Sequence, residues 1–216
     1  MCMQIRHLKS LKKQLINKPI LIYGAGKYAS IFLTYLQICN YSDYVVGCMV
    51  SEKTVYDREL FQIPISNFDE IVKLKGYNVI VAVSEKNAQS IYSKLEKRDI
   101  LECYHITSEF VNLMVDEIAA YFSTFPIREK KVFFDCFEGL GYRCNCKYIA
   151  ETLKDYNYIV VWNLSKKTAD DLPNWITKVK RYSYDYFREL YTAQIYISND
   201  GIEFCQNKRN GQLYIC

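Results

Sequence analysis

Short apolar runs alternate with segments of helical spacing along the first half of the chain. Residues 19–23, 44–50 and 77–83 are β-prone runs of strand length, and the segments between such runs place apolar residues three and four positions apart. Alternation of this kind is typical of a parallel sheet whose crossovers are right-handed. The predicted strands are 19–23, 44–50, 77–83 and 100–106, and the predicted helices are 31–36, 67–74 and 87–97.

The same alternation begins again in the second half. Residues 108–122 place apolar side chains on one helical face, and Pro126 ends a segment that breaks the pattern. We therefore expect the α/β class, with two consecutive Rossmann-like domains of mainly parallel sheets at residues 1–126 and 127–216. The predicted strands of the second domain are 131–137, 158–163, 179–182, 194–198 and 213–215, and its predicted helices are 146–155, capped by Asn145, and 183–192.

The N-terminal segment has a basic amphipathic pattern. Its apolar residues recur at helical spacing among lysines, which predicts a helix that either packs on the following domain or lies on an anionic membrane surface. No apolar run reaches the ~18 residues of a membrane-spanning helix, so we expect a cytoplasmic protein with, at most, peripheral contact at the inner membrane face. The residues of this stripe are Ile5, Leu8, Leu11, Leu15 and Ile16.

Composition and charge exclude several classes of site. The formal net charge of +4 is small and the 20 tyrosines accompany no RNA-binding pattern, so we expect no nucleic-acid partner and interpret the tyrosines as packed side chains. The nine cysteines include no Cys-x-x-Cys pair, and the two histidines lie far apart in the sequence. We therefore expect free thiols, no metal site and no histidine-based catalytic pair.

A glycine-rich turn follows the first predicted strand. In the segment Gly24-Ala25-Gly26-Lys27-Tyr28-Ala29, the first glycine permits a tight turn and the second allows a phosphate to approach the backbone. The N–H groups at the start of the following helix also suit an anion. The candidate cofactor-binding residues are Gly24, Gly26, Lys27, Glu52 at the position that holds a ribose hydroxyl in this fold, and Ser84 after the strand 77–83.

Four segments of the first domain carry a resemblance. They are the glycine turn with the two residues before it, and the runs 46–50, 63–66 and 79–83. Together they resemble the small Rossmann-like domain of bacterial sugar acyltransferases, which implies a nucleotide or a nucleotide-sugar as the ligand. Those enzymes commonly have a glycine and a histidine where this chain has Lys27 and Tyr28, so a vestigial domain that binds nothing stays open as the alternative. The rest of the chain shows no arrangement for hydride chemistry.

Three blocks of the second domain carry a more specific resemblance. They are Gly139-Leu140-Gly141-Tyr142 with 145–151, then 158–162 with 172–173 and 179–180, and finally 193–199 with 208–215. In this order and spacing they resemble the N-terminal, acceptor-side domain of the CDP-glycerol glycerophosphotransferases, a teichoic acid polymerase family with a GT-B fold. The resemblance implies a role in cell-surface polysaccharide synthesis and an anionic polyol-phosphate acceptor.

The chain departs from this family at two positions and lacks one of its segments. Cys146 stands where the family usually has proline, and Cys216 stands where it tends to have glutamine. Family members continue from there into a Thr-Trp-His-Gly segment with the expected catalytic base, and into a C-terminal domain that binds CDP-glycerol. We therefore assign no catalytic residue here and expect no transfer by this chain alone, whether it is a fragment or a complete product. A non-catalytic nucleotide-sugar-binding or regulatory module is the alternative function.

The acceptor site implied by the resemblance centres on the first glycine loop of the second domain. Glycine loops present backbone N–H groups without steric obstruction, cations pair with phosphate, and asparagine amides bind hydroxyls. Lys208 and Arg209 supply two further cations near the end of the chain. The candidate acceptor-binding residues are Gly139, Gly141, Tyr142, Asn145, Lys147 and Asn199.

Overall fold

The chain divides into two compact units. The computed structural model describes residues 2–5, 15, 18–51, 58–71, 76–100, 103–164, 172–199, 201 and 203–216. The first unit is Met1–Glu117 and the second is Ile118–Cys216, so the division falls within a helix, close to the expected domain boundary at residue 126. The exact boundary between two domains stays a prediction.

The described part of the first unit is built on a seven-stranded sheet. Its strands are β1 (Cys2–Ile5), β2 (Ile20–Tyr23), β3 (Val45–Val50), β4 (Glu59–Leu60), β5 (Ile63–Asn67), β6 (Asn78–Val81) and β7 (Cys103–Ile106). They lie in the order β1-β7-β6-β2-β3-β5-β4, and among these described strands only β4 and β5 pair antiparallel. Because the chain leaves β2 toward β3 on one side and returns to β6 on the other, the topological switch point lies between β2 and β6.

Helices follow the central strands of this sheet. They are α1 (Lys27–Ile38) after β2, α2 (Glu85–Glu96) after β6 and α3 (Ser108–Ser123) after β7. Strands β2 and β6 are buried at every residue, as expected of a parallel sheet that is covered on both faces. Helix α1 is also buried over residues 29–36, which explains why its sequence is apolar nearly all round.

The second unit contains a five-stranded sheet in its described part, with every described pair parallel. Its strands are β8 (Arg128–Asp135), β9 (Ile159–Leu164), β10 (Thr177–Lys180), β11 (Ala193–Ser198) and β12 (Leu213–Ile215), in the order β10-β9-β8-β11-β12. Helix α4 (Cys144–Lys154) lies between β8 and β9 in the sequence, and α5 (Tyr184–Thr192) lies between β10 and β11. The switch point of this sheet is therefore the junction of β8 and β11.

Successive side chains of β8 point to opposite faces of this sheet. The Phe134 ring stacks on Trp162 with ring centroids 5.0 Å apart, in the cluster that also contains residues of α4. The Phe133 ring instead contacts Tyr186 of α5 at 5.3 Å and Tyr196 of β11 at 5.8 Å. All of these aromatic side chains are buried, which confirms that the tyrosines of this face are packed.

The structure confirms the α/β class and the mainly parallel sheets, and it corrects the N-terminal helix. Ile5 belongs to the predicted helical stripe, but it is the last residue of β1, which pairs parallel with β7. Pairing at an open sheet edge decides the conformation of these residues, and helical spacing alone cannot reveal it. Leu15 is helical and buried. The other residues of the predicted stripe lie outside the described residues.

Two further local assignments are wrong. The described part of the predicted helix 67–74 is not helical: β5 ends at Asn67, whose side chain accepts a hydrogen bond from the Asp69 backbone N–H and starts a 3₁₀ turn at Phe68–Glu70. Residues 72–74 lie outside the described residues. Asn145 is not the cap of α4, because the helix begins at Cys144 and the preceding residue, Arg143, occupies the cap position without a capping side-chain hydrogen bond.

The described thiols and helices agree with the sequence pattern. Cysteines 39, 48, 144, 146 and 216 carry free thiols. None of the described helices is both long enough and apolar enough to cross a membrane.

Candidate functional site

The glycine turn of the first unit lies at the carboxyl edge of its sheet, beside the switch point. Gly24 follows β2 with a φ of +127°, and a methyl group at this position would stand 2.6 Å from the carbonyl oxygen of Ala82, which follows β6. The Gly24 N–H also donates to the carbonyl of Met49 in β3 at 2.8 Å. Only glycine allows this close approach of the loops after β2 and β6.

The other predicted residues of this site lie at two helix N-termini. Gly26 occupies the cap position of α1, and a methyl group built there would have no neighbour within 4 Å, so a ligand could reach this backbone. Lys27 is the exposed first residue of α1. Ser84 caps α2 with backbone geometry only, because its hydroxyl makes no capping hydrogen bond. Glu52 lies outside the described residues.

An acid that the sequence pattern does not single out lies at the same edge. The Glu85 carboxylate accepts a hydrogen bond of 2.6 Å from the backbone N–H of Ser108, the first residue of α3, and this bond is the main reason that the pKa of Glu85 is lowered. Burial, and then the charge of Glu85, raises the pKa of Tyr28. The acid therefore occupies one helix N-terminus, and it places negative charge beside the glycine turn.

The predicted acceptor loop of the second unit lies at the switch point of its own sheet. It follows β8 and contains three consecutive residues in the left-handed region, with φ values of 48° at Phe137, 50° at Glu138 and 81° at Gly139. The Asn199 Oδ1, directly after β11, accepts a hydrogen bond of 2.9 Å from the Phe137 N–H. The structure therefore brings two of the predicted elements, the loop and Asn199, to the same edge of the sheet. Left-handed non-glycine residues of this kind cluster at functional sites.

A cation that the sequence did not single out lies across this loop. Gly141 has a φ of 151°, and a methyl group there would stand 3.1 Å from Arg143 Nη2. The same nitrogen donates to the carbonyl oxygen of Leu140 at 2.7 Å. Arg143 is exposed at the start of α4, so its positive charge lies beside the helix N–H groups and favours an anion.

The remaining predicted residues lie along the first turns of α4. Asn145 is exposed, and Lys147 Nζ lies 5.5 Å from the centroid of the Tyr142 ring and 3.8 Å from Glu151 Oε1. Burial, and then the charge of Glu151, raises the pKa of Tyr142 to about 12. The Tyr142 ring also meets Trp162 edge to face at 4.8 Å. This residue is thus as much a core contact as a ligand-binding candidate.

The two cations near the end of the chain have different surroundings. Arg209 donates from Nη1 to the carbonyl of Tyr191 at 2.7 Å and from Nη2 to the carbonyl of Ser123 at 2.9 Å, so its guanidinium is used to hold backbone. Lys208 Nζ lies 5.5 Å from the centroid of the Tyr214 ring. The phosphate-binding role predicted for Arg209 stays a prediction.

Gln212 has a similar structural role, which yields a prediction. It is buried, and its Nε2 donates to the carbonyls of Leu190 at 2.9 Å and Ala193 at 2.7 Å. We expect Gln212→Leu to lower the free energy of unfolding by about 1–3 kcal/mol, because two carbonyl groups lose their donor. Urea unfolding measures this change. Asn210→Ala, at an exposed position of the same turn, is the control, and equal unfolding midpoints for the two variants would contradict the assignment.

A buried polar cluster behind the same sheet edge was not predicted. Asp135, the last residue of β8, accepts hydrogen bonds from Asn163 Nδ2 at 2.8 Å, from Tyr186 Oη at 2.9 Å and from Tyr196 Oη at 3.2 Å. Arg181 Nη1 lies 3.6 Å from the same carboxylate. No sequence signal could have found this cluster, because its members come from separate elements. Within the described residues, no three His, Cys, Asp or Glu side chains are grouped so as to hold a metal ion.

The cluster predicts a strong dependence of stability on alkaline pH. Burial, and then the charge of Asp135, raises the pKa of both Tyr186 and Tyr196 above the ordinary value of 10.0. The folded state therefore holds these protons more tightly than the unfolded state, so stability is complete below pH 10 and falls as the pH rises above it. The expected slope is about 1.4 kcal/mol per pH unit for each tyrosine.

Chemical unfolding at a series of pH values tests this dependence. Tyr196→Phe should reduce the slope above pH 10 by the contribution of one group. Tyr156→Phe changes a tyrosine that is 65% exposed and should leave the slope as it is in the unmodified chain. A slope that is the same in all three proteins would contradict the prediction.

Comparison with known proteins places the second unit beside one family. A model of the CDP-Glycerol:Poly(glycerophosphate) glycerophosphotransferase family matches residues 118–216. The chain is 31% identical over 91 residues to a teichoic acid poly(glycerol phosphate) polymerase of Staphylococcus epidermidis, covering 41% of this chain and 13% of the polymerase. It is 24% identical over 95 residues to the polymerase of that name from Bacillus spizizenii, covering 42% of this chain and 24% of the other.

Solved structures of one polymerase are also among the matches. The wall teichoic acid polymerase TagF shares 22% identity with this chain, with a TM-score of 0.41, and the match covers 59% of this chain and 30% of the polymerase. The chain spans less than a quarter of the length of each of the two curated polymerases that it matches, 13% of one and 24% of the other. The family match begins at residue 118, the first residue of the second unit. The family match and the two polymerase matches confirm that the second unit is similar to the teichoic acid glycerophosphotransferases, as its three sequence blocks predicted.

Proposed function

We propose that the second unit binds the acceptor in a CDP-glycerol glycerophosphotransferase-like protein of teichoic acid or capsule synthesis. The observation that carries the proposal is the family match over residues 118–216. In this proposal the acceptor is an anionic polyol-phosphate chain, and the protein acts in the cytoplasm at the inner membrane face. Both sequence histidines lie outside residues 118–216, so we assign acceptor binding to this unit and no catalytic base.

The geometry at the carboxyl edge supports an acceptor with alternating phosphate and hydroxyl groups. Arg143 and Lys147 lie at the start of α4, where the uncapped N–H groups of the helix attract a phosphate. Asn145 is exposed on the same turn and can bind a hydroxyl. Asn199 acts as a positioning residue in this proposal, because its Oδ1 holds the Phe137 N–H of the loop.

Binding of a short glycerol-phosphate oligomer to the purified chain tests the proposal. Lys147→Gln should weaken binding roughly fivefold, as expected for one partly exposed charge pair, and added salt should weaken it further. Lys154→Gln removes the same charge from the last turn of α4 and should leave the affinity unchanged. Equal effects of the two substitutions, or no binding by the unmodified chain, would contradict the acceptor site. Turnover of labelled CDP-glycerol by this chain alone would contradict the absence of a catalytic base.

We propose in addition that the first unit binds a nucleotide or a nucleotide-sugar, as the acyltransferase resemblance implies. The support is the close approach of Gly24 to Ala82 at the switch point and the open backbone at Gly26. Lys27 and Ser84 complete the proposed site, with Glu52 as the proposed ribose contact. A saturating nucleotide at about a hundredfold excess over Kd should add roughly 2.7 kcal/mol to the stability of this unit.

A panel of nucleotides and nucleotide-sugars in thermal unfolding decides between this site and a vestigial one. Gly26→Asp should abolish the shift, because it places a carboxylate where the phosphate would lie. Glu85→Gln should strengthen binding, because it removes the negative charge beside the glycine turn. If no compound shifts the transition, the first unit is vestigial. Ligand binding by the first unit without oligomer binding by the second would favour a non-catalytic regulatory module.

A further inference from the structure

Three strand ends of the second sheet carry a polar group that the proposed acceptor loop does not use. Asp135 ends β8, Asn163 is the last residue but one of β9, and Arg181 directly follows β10. These strands are neighbours in the sheet, so the three side chains meet at its carboxyl edge. Arg181 Nη2 also donates to Glu203 Oε2 at 2.7 Å.

Two of these side chains have hydrogen-bonding atoms that no described residue satisfies. Asn163 is completely buried and its Nδ2 donates to Asp135, yet its Oδ1 has no hydrogen-bond partner among the described residues. Arg181 Nε and Nη1 are likewise buried without a hydrogen-bond partner there, since the 3.6 Å between Nη1 and Asp135 Oδ1 is too long for a hydrogen bond. Leaving such atoms unsatisfied is costly, so an acceptor and two donors of this kind indicate a further group between them.

The charges of the cluster select the chemistry of that group. One guanidinium faces two carboxylates, Asp135 and Glu203, so a phosphate would be repelled and a metal cation would meet Arg181. A neutral hydroxyl suits the Arg181 donors and the Asn163 acceptor together, because its oxygen can accept from Arg181 while its O–H donates to the Asn163 Oδ1. We infer that Arg181 and Asn163 form a binding site for a hydroxyl group of a neutral polyol moiety.

The unsatisfied atoms are themselves buried, and the cluster lies beneath a partly exposed ion pair and next to the proposed phosphate loop. The side chains of Arg181 and Glu203 are 12% and 23% exposed, and their ion pair forms the outer side of the cluster. Asp135 is followed directly by the segment that begins the left-handed loop, so the two sites occupy consecutive stretches of chain. The choice of a polyol as ligand rests on the proposed function, since a polyol phosphate presents a hydroxyl and a phosphate together.

Glycerol titration followed by ¹H–¹⁵N NMR tests the inference. Glycerol should shift the Arg181 Nε–H signal and the Asn163 side-chain amide signals, whereas inorganic phosphate should shift only the backbone signals of residues 138–142. Arg181→Lys keeps the charge but removes the Nε donor, and it should weaken glycerol binding roughly tenfold or more. Arg188→Lys is the matched control, because this arginine pairs with Asp185 and Glu189 outside the cluster.

The outcomes separate this inference from the proposed function. Unmoved Arg181 and Asn163 signals in glycerol, or a crystal structure in glycerol where a water alone bridges the two side chains, would overturn the hydroxyl site. Phosphate-induced shifts in residues 138–142 would then still support the acceptor loop. If Arg181→Lys does not fold, the titration of the unmodified chain still decides, because its assigned guanidinium signal is the direct readout.

Discussion

Replacing Asp135 with alanine is expected to lower the free energy of unfolding of the second unit by about 3–5 kcal/mol, the range for removing one partner of a buried ion pair. The carboxylate is the acceptor for Asn163, Tyr186 and Tyr196, and with Glu203 it is one of two carboxylates that compensate the charge of Arg181. Its loss leaves these polar groups buried without an acceptor. The expected result in urea is a large fall in the unfolding midpoint.

Two further variants make the Asp135 experiment specific. Asp135→Asn keeps the shape and one acceptor oxygen, so it should lose less stability than the alanine variant. Asp155→Ala removes an exposed carboxylate just after α4 and should change stability by no more than about 0.5 kcal/mol. An alanine variant at position 135 that unfolds at the midpoint of the unmodified chain would show that the cluster contributes nothing to stability.

Gly24→Ala is expected to destabilise the first unit by about 2–4 kcal/mol, because strain and overpacking act at the same atom. The added methyl group would stand 2.6 Å from the Ala82 carbonyl oxygen, and the φ of +127° disfavours any L side chain. The loops after β2 and β6 would have to separate, and this is the point at which the proposed nucleotide would be held. Thermal and urea unfolding measure the effect.

Gly26→Ala is the matched control for this prediction. The methyl group there would meet no atom within 4 Å, and its backbone has an ordinary φ of −97°, so stability should change by less than about 1 kcal/mol. Glycine is therefore required at position 24 by packing, whereas at position 26 it is required only by the proposed ligand. Equal destabilisation by both substitutions would contradict this division of roles.

The candidate sites could be predicted only in part, and the reason differs between the units. The Gly24 turn was found because its chemistry is local: strand, glycine and helix are consecutive in the sequence. Asn199 was predicted only through the resemblance, because its contact with Phe137 spans sixty-two positions and leaves no local pattern. Glu85 and Arg143 were missed, because a charge at the start of a helix is common and becomes informative only when its partner is known. The backbone contacts of Arg209 could not be foreseen for the same reason, since the two carbonyls that accept from its guanidinium are distant in sequence.

The sequence by itself determined the α/β class, the alternation of strands and helices, the two glycine turns and the family resemblance of the second unit. Each of these depends on residues that are close together in the chain, where hydrophobic period and turn chemistry act directly. Only the tertiary structure decided the strand order, the edge position of β1 and the cluster around Asp135. These depend on which strands pair and on which side chains are buried together, and pairing across long sequence separations leaves no periodic signal in the chain.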